Sequence, residues 1–531
     1  MKSMIKQNNI SFFLFVVVLI FTGAILCNAQ VSQEWVARYH FYSEDQAKDI
    51  AVDDSGNVYV TGSSEASTPN GAKFDYATIK YNSAGVVQWV QRYNGPGNDR
   101  DDVRAMVVDD SGNVYVTGLS NRVAFPGSAD YDFATVKYDR NGIQQWVRRY
   151  DRGQDQAEAI GLDAFGNIYV GGVAGFKLTV IKYNPDGDSL WVRFYDGVDL
   201  YGFEAMAVDS GGNVYLAGWD DNEVDWQIVK FNSQGEFQWV RTFNGPGNGA
   251  DYPKSIVVDD SSNVYVTGYV WGNNTTNFAT VKYDSTGDQK WVSYYPNASA
   301  LAIAVDDSSN AYVTGANGNM LTIKYNSSGS EQWVMSFNGP GNAADIPCCI
   351  ELDDSANVYI TGYATVNPSN LDYCTIKYNK HGEEQWVMYY NGTGNSYDQP
   401  TALAVDKIGN IYVTGSSRGP GNNDYATVKY SQIVGIQQIS NEVPAKFKLY
   451  QNFPNPFNPI TKIQFEISKL SEVKLIVYDI MGREIKILIN DQLKPSIYEV
   501  NFDGNNLSSG IYYYRMITEE YSEIKKMILV K

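Results

Sequence analysis

An all-β chain built from repeats is what this sequence predicts, and three observations carry the prediction. A block of about 50 residues recurs eight times through the middle of the chain. Each copy alternates short β-branched and aromatic stretches with Gly, Asn and Asp turn signals. A second, unrelated set of short alternating segments closes the sequence. At 531 residues, the chain exceeds one ordinary core, so several domains or one large repetitive domain are expected.

The elements follow in chain order. Residues 1–29 hold MKSMIKQNN, an apolar run from Phe12 extending to Leu26, and Cys27-Asn28-Ala29 before Gln30. A positive start, a short apolar stretch and a small-x-small exit predict a cleaved export signal. The run is shorter than the roughly 20 apolar residues a span needs. Leu26 stands where a lipidated Cys27 would want a small neighbour, so no lipid anchor is expected. No other segment approaches a spanning length, and no membrane span is predicted for the mature chain.

Residues 30–432 carry the repeats. The block AVDDSGNVYVTG ends at Gly62 and recurs ending at Gly118, Gly172, Gly218, Gly268, Gly315, Gly362 and Gly415. A second block, TIKY, places lysine at 80, 137, 182, 230, 282, 324, 377 and 429. The third, QWV, follows only seven of them, with Trp at 89, 146, 191, 239, 291, 333 and 386. The missing copy stands at Trp35, ahead of the first repeat. With four strands per repeat, a (about Ile50 to Asp53), b (Val58 to Gly62), c (Tyr76 to Tyr81) and d (Val87 to Tyr93), the counts balance only if the N-terminal strand completes the last repeat. An open solenoid needs no such exchange; a ring of four-stranded units does. The sequence therefore predicts an eight-bladed β-propeller closed by its N-terminal strand.

Spacing sorts the connections. Asp to Asn in DDSGN is four residues in every repeat, and Lys to Trp is nine wherever it can be measured. The a–b and c–d turns are thus fixed in length, and Asx with Gly three residues later at the c–d turn suits a type I hairpin turn. Gly to Lys varies from 9 to 19 residues, and Trp to the next Asn from 19 to 24. Variable b–c and d–a loops emerge together on one face, where recognition is expected. Through NVYVTG and the ATIKYN/QWV pairing, Glu34 to Tyr430 resembles the family named for its seven-bladed β-propeller repeat. That resemblance implies propeller architecture and secretion and transfers no catalytic residue; the chain departs from the family name in offering eight units.

A composition shift near Ile433 predicts a linker over 433–446 and a second domain over 447–531. Pro454, Pro456 and Pro459 force extended backbone. The segments VKLIVYDI, REIKILI, IYEVNFD, GIYYYRMI and EIKKMILVK then read as a small Ig-like β-sandwich. This region resembles the C-terminal sorting domain of proteins exported by the type IX secretion system of Bacteroidetes-like bacteria. The matching stretches are Asn452-Phe453-Pro454-Asn455-Pro456-Phe457-Asn458-Pro459, Tyr478 to Arg483 including Gly482, Leu507 to Tyr512 including Gly510, and Lys526 to Lys531. Pro495-Ser496 departs from it where a Gly is expected. The resemblance implies the secretion machinery as a partner, passage across the outer membrane, and surface attachment or release.

Charge narrows the other partners. From Asn441 onward the chain has 12 basic and 11 acidic side chains, and the first 29 residues hold only Lys2 and Lys6, leaving about −22 between. Such a body repels phosphate backbones, so no nucleic acid is expected. Two histidines exclude multi-His metal sites and a repeated Ser-His-Asp design. The recurring Asp of DDSGN (Asp53, Asp109, Asp163, Asp209, Asp259, Asp306, Asp353, Asp406) raises a structural Ca²⁺ as the one cofactor to weigh. Its spacing supplies too few carboxylates, and an Asp bonded to its own turn explains it more simply. Each TIKY lysine is expected to pack its stem and pair with a local Asp. Cys348, Cys349 and Cys374 are expected as buried thiols, because strands a and c lie too far apart to bridge.

No catalytic motif stands out. The expectation is therefore a monomeric, non-catalytic binding or adhesion protein for a glycan, extracellular polymer or protein. Tyr131, Trp219, Tyr252, Tyr269, Trp271, Tyr363 and Tyr397 beside the variable loops form the candidate ligand surface. The alternatives are a polysaccharide-acting enzyme, marked by a nonrepeating acidic cluster at the channel mouth, and a purely structural envelope protein.

Overall fold

A computed structural model describes residues 31–68, 71–122, 130–195, 200–220, 224–272, 275–367, 370–432, 437–440, 443–504 and 507–531. The export signal of residues 1–29 lies outside them. Among the described residues there is no helix, and every sheet is antiparallel with four strands.

Eight of these sheets fall between Val31 and Gln432. The first runs Asp45–Val52, Val58–Thr68, Gly71–Tyr81, Val87–Tyr93 as strands a to d. Strand a begins at Asp45, five residues before its apolar pattern becomes legible. Strands b and c are buried on both faces because each sheet is covered by its two neighbours, which is why VYVTG and ATIKY lack a polar side. Thr61 and Thr78 meet hydroxyl to hydroxyl at 3.0 Å, satisfying each other where no water reaches. Each core joins two sheets: one holds Ala37, Tyr412 and Tyr425 of the eighth sheet with Ile50, Val60 and Ile79 of the first.

The eighth sheet takes its strands a to c from Asp398–Val405, Ile411–Arg418 and Asn423–Gln432, and its outer strand from Val31–Tyr39. Trp35 lies opposite Lys429 in that pairing. The strand Asp45–Val52 packs on the inner strands of both the second and the eighth sheets. The propeller thus joins its ends as the misplaced QWV copy requires.

Two side chains, the TIKY lysine and the QWV tryptophan, fasten the first sheet to the second. Lys80 Nζ lies 4.9 Å from the Tyr59 ring centroid and donates to the Arg140 carbonyl in the following c–d turn at 3.2 Å. Trp89 Nε1 donates to the same oxygen at 3.2 Å, and its ring sits where a Cβ on Gly142 (φ +82°) would be, 2.7 Å away. All eight lysines cover the tyrosine of their own strand b. Among the described residues the expected Asp makes a direct ion pair only with Lys182, 3.2 Å from Asp163, and acts on Lys80, Lys230, Lys282, Lys324 and Lys377 from further off. Elsewhere the cation lies over an aromatic face, capped by a carbonyl at Lys80, Lys137, Lys230 and Lys324, while Lys429 pairs with Glu34 at 2.8 Å. At the closure Trp35 repeats the contact, donating to Ser83 O at 3.1 Å. The seventh sheet has no c–d turn to meet. There Lys377 turns to the Gln432 side chain, and Trp386 Nε1 has no partner among the described residues.

The turn aspartates close their own loops. Asp53 Oδ1 accepts from Ser55 N and Asn57 N, and Oδ2 from Asn57 Nδ2 and Tyr59 OH, all within 3.0 Å. The pattern recurs at Asp109 and Asp353.

The tail forms two four-stranded sheets, ordered Gln437–Ser440, Ser496–Asp503, Ile460–Ile467, Lys448–Leu449 and Glu484–Leu493, Ser471–Tyr478, Gly510–Ile517, Ser522–Leu529. Gln437–Ser440 pairs with Ser496–Asp503 inside the stretch predicted as linker, so the tail sheet begins before residue 447. Inward residues alternate along each strand, as in Thr461, Ile463, Phe465 and Ile467, and meet Val473, Leu475 and Val477 of the other sheet in one core.

Candidate functional site at the inner strands

Each inner strand carries a β-bulge at the same place. In the first sheet pairing passes from Ala47 to Asp49 and skips Lys48. The residues skipped in the other sheets are Arg104, Glu158, Glu204, Lys254, Leu301, Cys348 and Thr401. All lie five residues before the turn Asp, yet their chemistry does not repeat. Pro253, Pro347 and Pro400 stand immediately before three of the bulges, where the ladder has no use for an N–H.

A bulge re-aims its side chain out of the ladder. Five consecutive sheets so present a row of charges near the start of strand a, at its variable-loop end. Arg104 lies 3.4 Å from Glu158, and Lys254 donates to Glu204 at 2.9 Å. Burial, with Arg104 beside it, lowers the Lys48 ammonium; burial raises Glu158 despite Arg104. Asp49 is pushed up to about 6 by burial, although Met106 N and Ile50 N donate to its two oxygens at 2.7 and 2.8 Å. Glu351 is pushed up to about 7 by the walls around it and by Asp49.

Three of the predicted aromatics gather over this row. Trp219 meets Tyr252 of the next sheet edge-on with centroids 5.4 Å apart, and Tyr252 meets its cross-strand partner Tyr269 at 5.2 Å. Lys254 Nζ lies 5.9 and 5.7 Å from the two tyrosine centroids. Gly202 opposite Trp219 is obligatory, since a Cβ there would fall 1.9 Å from the indole. Trp271, two residues beyond Tyr269, is 45 % exposed, and Gly249 lies against its ring. Tyr131, Tyr363 and Tyr397 belong to the second and seventh sheets and to the loop entering the eighth, and do not join the cluster.

Sequence reasoning passed over the bulge row, although one offset from the turn Asp marks it. It also passed over a second set of aspartates at the start of strand a. Asp45, Asp101, Asp155, Asp251, Asp345 and Asp398 are fully buried. Asp398 shows their use: Oδ2 accepts from Gly392 N at 2.7 Å and Oδ1 from Arg418 N at 3.0 Å, tying the d–a loop to strand b. These loops are therefore rigid, and their Asn98, Asn248, Asn342 and Asn395 adopt the left-handed backbone anticipated for NGPGN. A cavity of about 210 Å³ lies away from the aromatics, between the turns Asp53–Gly56 and Asp406–Ile408 at the closure.

In the tail, the predicted motif residues lace the domain together. Asn452 is buried; its N–H donates to Tyr514 OH at 2.7 Å and its Nδ2 to Thr461 Oγ1 at 2.9 Å. Asn455 Oδ1 accepts from Ile528 N at 3.0 Å, and Phe457 exchanges bonds with Ile528 and Val530. Pro454 and Pro456 follow cis peptide bonds. Gly482 (φ +79°) lets Arg483 fold back on Asp479 at 2.6 Å. Gly510 opens its strand, Lys526 is exposed, and Lys531 N–H donates to Ser509 Oγ at 3.0 Å.

Residues 451–531 match the family model of the secretion system C-terminal sorting domain. The tail is that sorting domain. With it, the protein is a type IX secretion cargo, exported to the outer cell surface or released. Beta-propeller repeats match at 34–67, 88–122, 238–274 and 385–422. Every match opens one residue before the outer-strand Trp, so Trp35 stands in the frame of the internal repeats. The chain also resembles a structure described as the Dos1 propeller (10 % identity, TM-score 0.50, covering 75 % of this chain and 95 % of that one), which shows the fold alone. Weaker likenesses are a protein of unknown function from Bacteroides caccae (12 %, TM-score 0.33, 48 % and 90 %) and one from Lactobacillus plantarum (13 %, TM-score 0.40, 63 % and 99 %). No curated protein matches the chain.

Proposed function

We propose that this sorting-domain cargo is an eight-bladed propeller, followed by an Ig-like sandwich, that binds an extracellular glycan without turning it over. The observation that carries the reading is the Trp219–Tyr252–Tyr269 cluster above the Lys254–Glu204 pair. Flat rings suit the apolar faces of sugar rings, and an ammonium beside a carboxylate suits their hydroxyls. Tight d–a loops fix the rings in advance, which limits the entropy lost on binding. Eight blades are supported by eight four-stranded sheets whose first and last inner strands touch.

The non-catalytic reading is supported by how the bulge carboxylates are used. Glu158 and Glu204 each face a cation, and Asp49, which follows the bulge at Lys48 and neighbours Glu351, is already engaged by two backbone N–H groups. A glycosidase needs two carboxyl groups free to act as acid and as base or nucleophile. The test is a glycan array probed with the exported chain beside a reducing-sugar assay on the same glycans. Binding without product is expected; release of reducing ends overturns the reading in favour of an enzyme.

A further inference from the structure

Cysteines adjacent in sequence do not meet in a regular strand, because successive side chains point to opposite faces. The bulge in the seventh inner strand removes that obstacle. Pairing runs Pro347 to Gly362 and then Cys349 to Thr361, with Cys348 inserted between. Cys348 and Cys349 therefore turn to the same side, and their Sγ atoms lie 2.9 Å apart. Cys349 Sγ also contacts the Thr401 carbonyl at 3.2 Å, which holds its S–H as a donor. Both residues are part-exposed, whereas Cys374 is buried in strand c. This corrects the expectation that all three are buried thiols. None of the other seven bulges carries sulfur.

We propose that Cys348 and Cys349 form an oxidisable vicinal dithiol on the propeller's inner wall, a modification site that a hydroperoxide converts reversibly to a Cys348–Cys349 disulfide. Export places the pair outside the reducing cytosol. Cys348 sulfur attacks the terminal peroxide oxygen and the O–O bond breaks, giving a sulfenic acid while the leaving oxygen takes the Cys348 proton, as water from hydrogen peroxide or as an alcohol from an alkyl hydroperoxide; sulfur loses two electrons and the peroxide gains them. Cys349 sulfur then attacks that sulfenic sulfur, the S–O bond breaks, and the leaving hydroxide takes the Cys349 proton as water. The order follows from the geometry, in which the Thr401 carbonyl engages the Cys349 S–H while the Cys348 sulfur lies against Cys349 Sγ. The Cys348 sulfur and burial push the Cys349 thiol up, which keeps it protonated until the second step. Adjacent Cα atoms are held about 3.8 Å apart by a trans peptide, closer than the roughly 4.4 Å at which disulfides become comfortable. The bond is therefore strained and readily reduced, as redox-labile disulfides are.

The test treats the reduced full-length chain with hydrogen peroxide, denatures it, alkylates free thiols and weighs the peptide holding both cysteines. The expected result is loss of two hydrogens and of both alkyl adducts, reversed by reduced glutathione. Cys349→Ser should stop at a Cys348 sulfenic acid trapped by dimedone, while Cys348→Ser leaves Cys349 untrapped. Two alkylated thiols after peroxide, sulfinic acid at both positions, or a bond to Cys374 overturns the proposal. Dimedone on Cys349 in Cys348→Ser overturns the order of attack.

Discussion

Replacing Trp35 by alanine tests whether the N-terminal strand clasps the ring. The indole is half-buried between Tyr81 of the first sheet and Tyr412 of the eighth, with centroids 6.3 and 6.2 Å away. Truncation removes roughly 100 Å² of buried ring, about 2.5 kcal/mol at 25 cal/mol per Å². The bond to Ser83 O adds about 1 kcal/mol, and the two ring contacts roughly 0.5 kcal/mol each. The total, about 4.5 kcal/mol, sits within the roughly 3–5 kcal/mol range for removing a packed Trp. Gly85 allows a sharper version. Its φ is +76°, and a Cβ there would lie 2.7 Å from the Trp35 ring. Gly85→Ala should cost about 1–2 kcal/mol for the left-handed backbone plus roughly 1–3 kcal/mol for overpacking against the indole. In a Trp35→Ala background only the first part remains. Urea unfolding of both single variants and the double variant, followed by far-ultraviolet circular dichroism, reads the coupling as about 1–3 kcal/mol. Additivity within about 0.5 kcal/mol would mean that Trp35 does not rest on Gly85, and the closure would be refuted.

Three further outcomes are expected. Trp219→Ala should weaken glycan binding about tenfold, roughly 1.4 kcal/mol, by isothermal titration, whereas Tyr131→Ala leaves it unchanged; equal losses would remove the cluster from the site. A chain lacking residues 451–531 should stay behind the outer membrane by cell fractionation, and its appearance on the surface would deny the sorting role. For Glu351 the sign of the pH effect is fixed. Its folded-state pKa is raised from 4.5 to about 7 by the walls around it and by Asp49, so the folded protein holds a proton that the unfolded chain has released, with an effect on stability reduced because the side chain is exposed to water. That stabilising contribution is full below about pH 4.5 and is lost as pH rises through about 7. Glu351→Gln should therefore gain thermal stability on the parent between pH 5 and 8, and a pH-independent difference would contradict the assignment.

The repeats were legible because their chemistry is local. Asp53 bonds to atoms two to six residues away, so the turn is written in one short word and recurs wherever the word does. The closure could also be read, since an outer-strand Trp without a repeat and a repeat without a Trp leave one arrangement. The TIKY lysine was misjudged for the opposite reason. Its acceptor is the Arg140 carbonyl, 60 residues from Lys80, and a backbone oxygen leaves no mark in a sequence. Of the seven aromatics nominated for the ligand surface, only Trp219, Tyr252 and Tyr269 converge, because exposure beside a loop says nothing about which neighbour the loop leans on.

By itself the sequence determined the strands, the fixed turns, the variable face, the sorting domain and the exchange of the terminal strand, all of which follow from residue type and spacing along one chain. Only the tertiary structure decided which side chains share the inner wall. A bulge changes the direction of one residue without changing the spacing of any other, so Lys254 beneath two tyrosines and Cys348 beside Cys349 depend on a backbone register that composition and period do not encode.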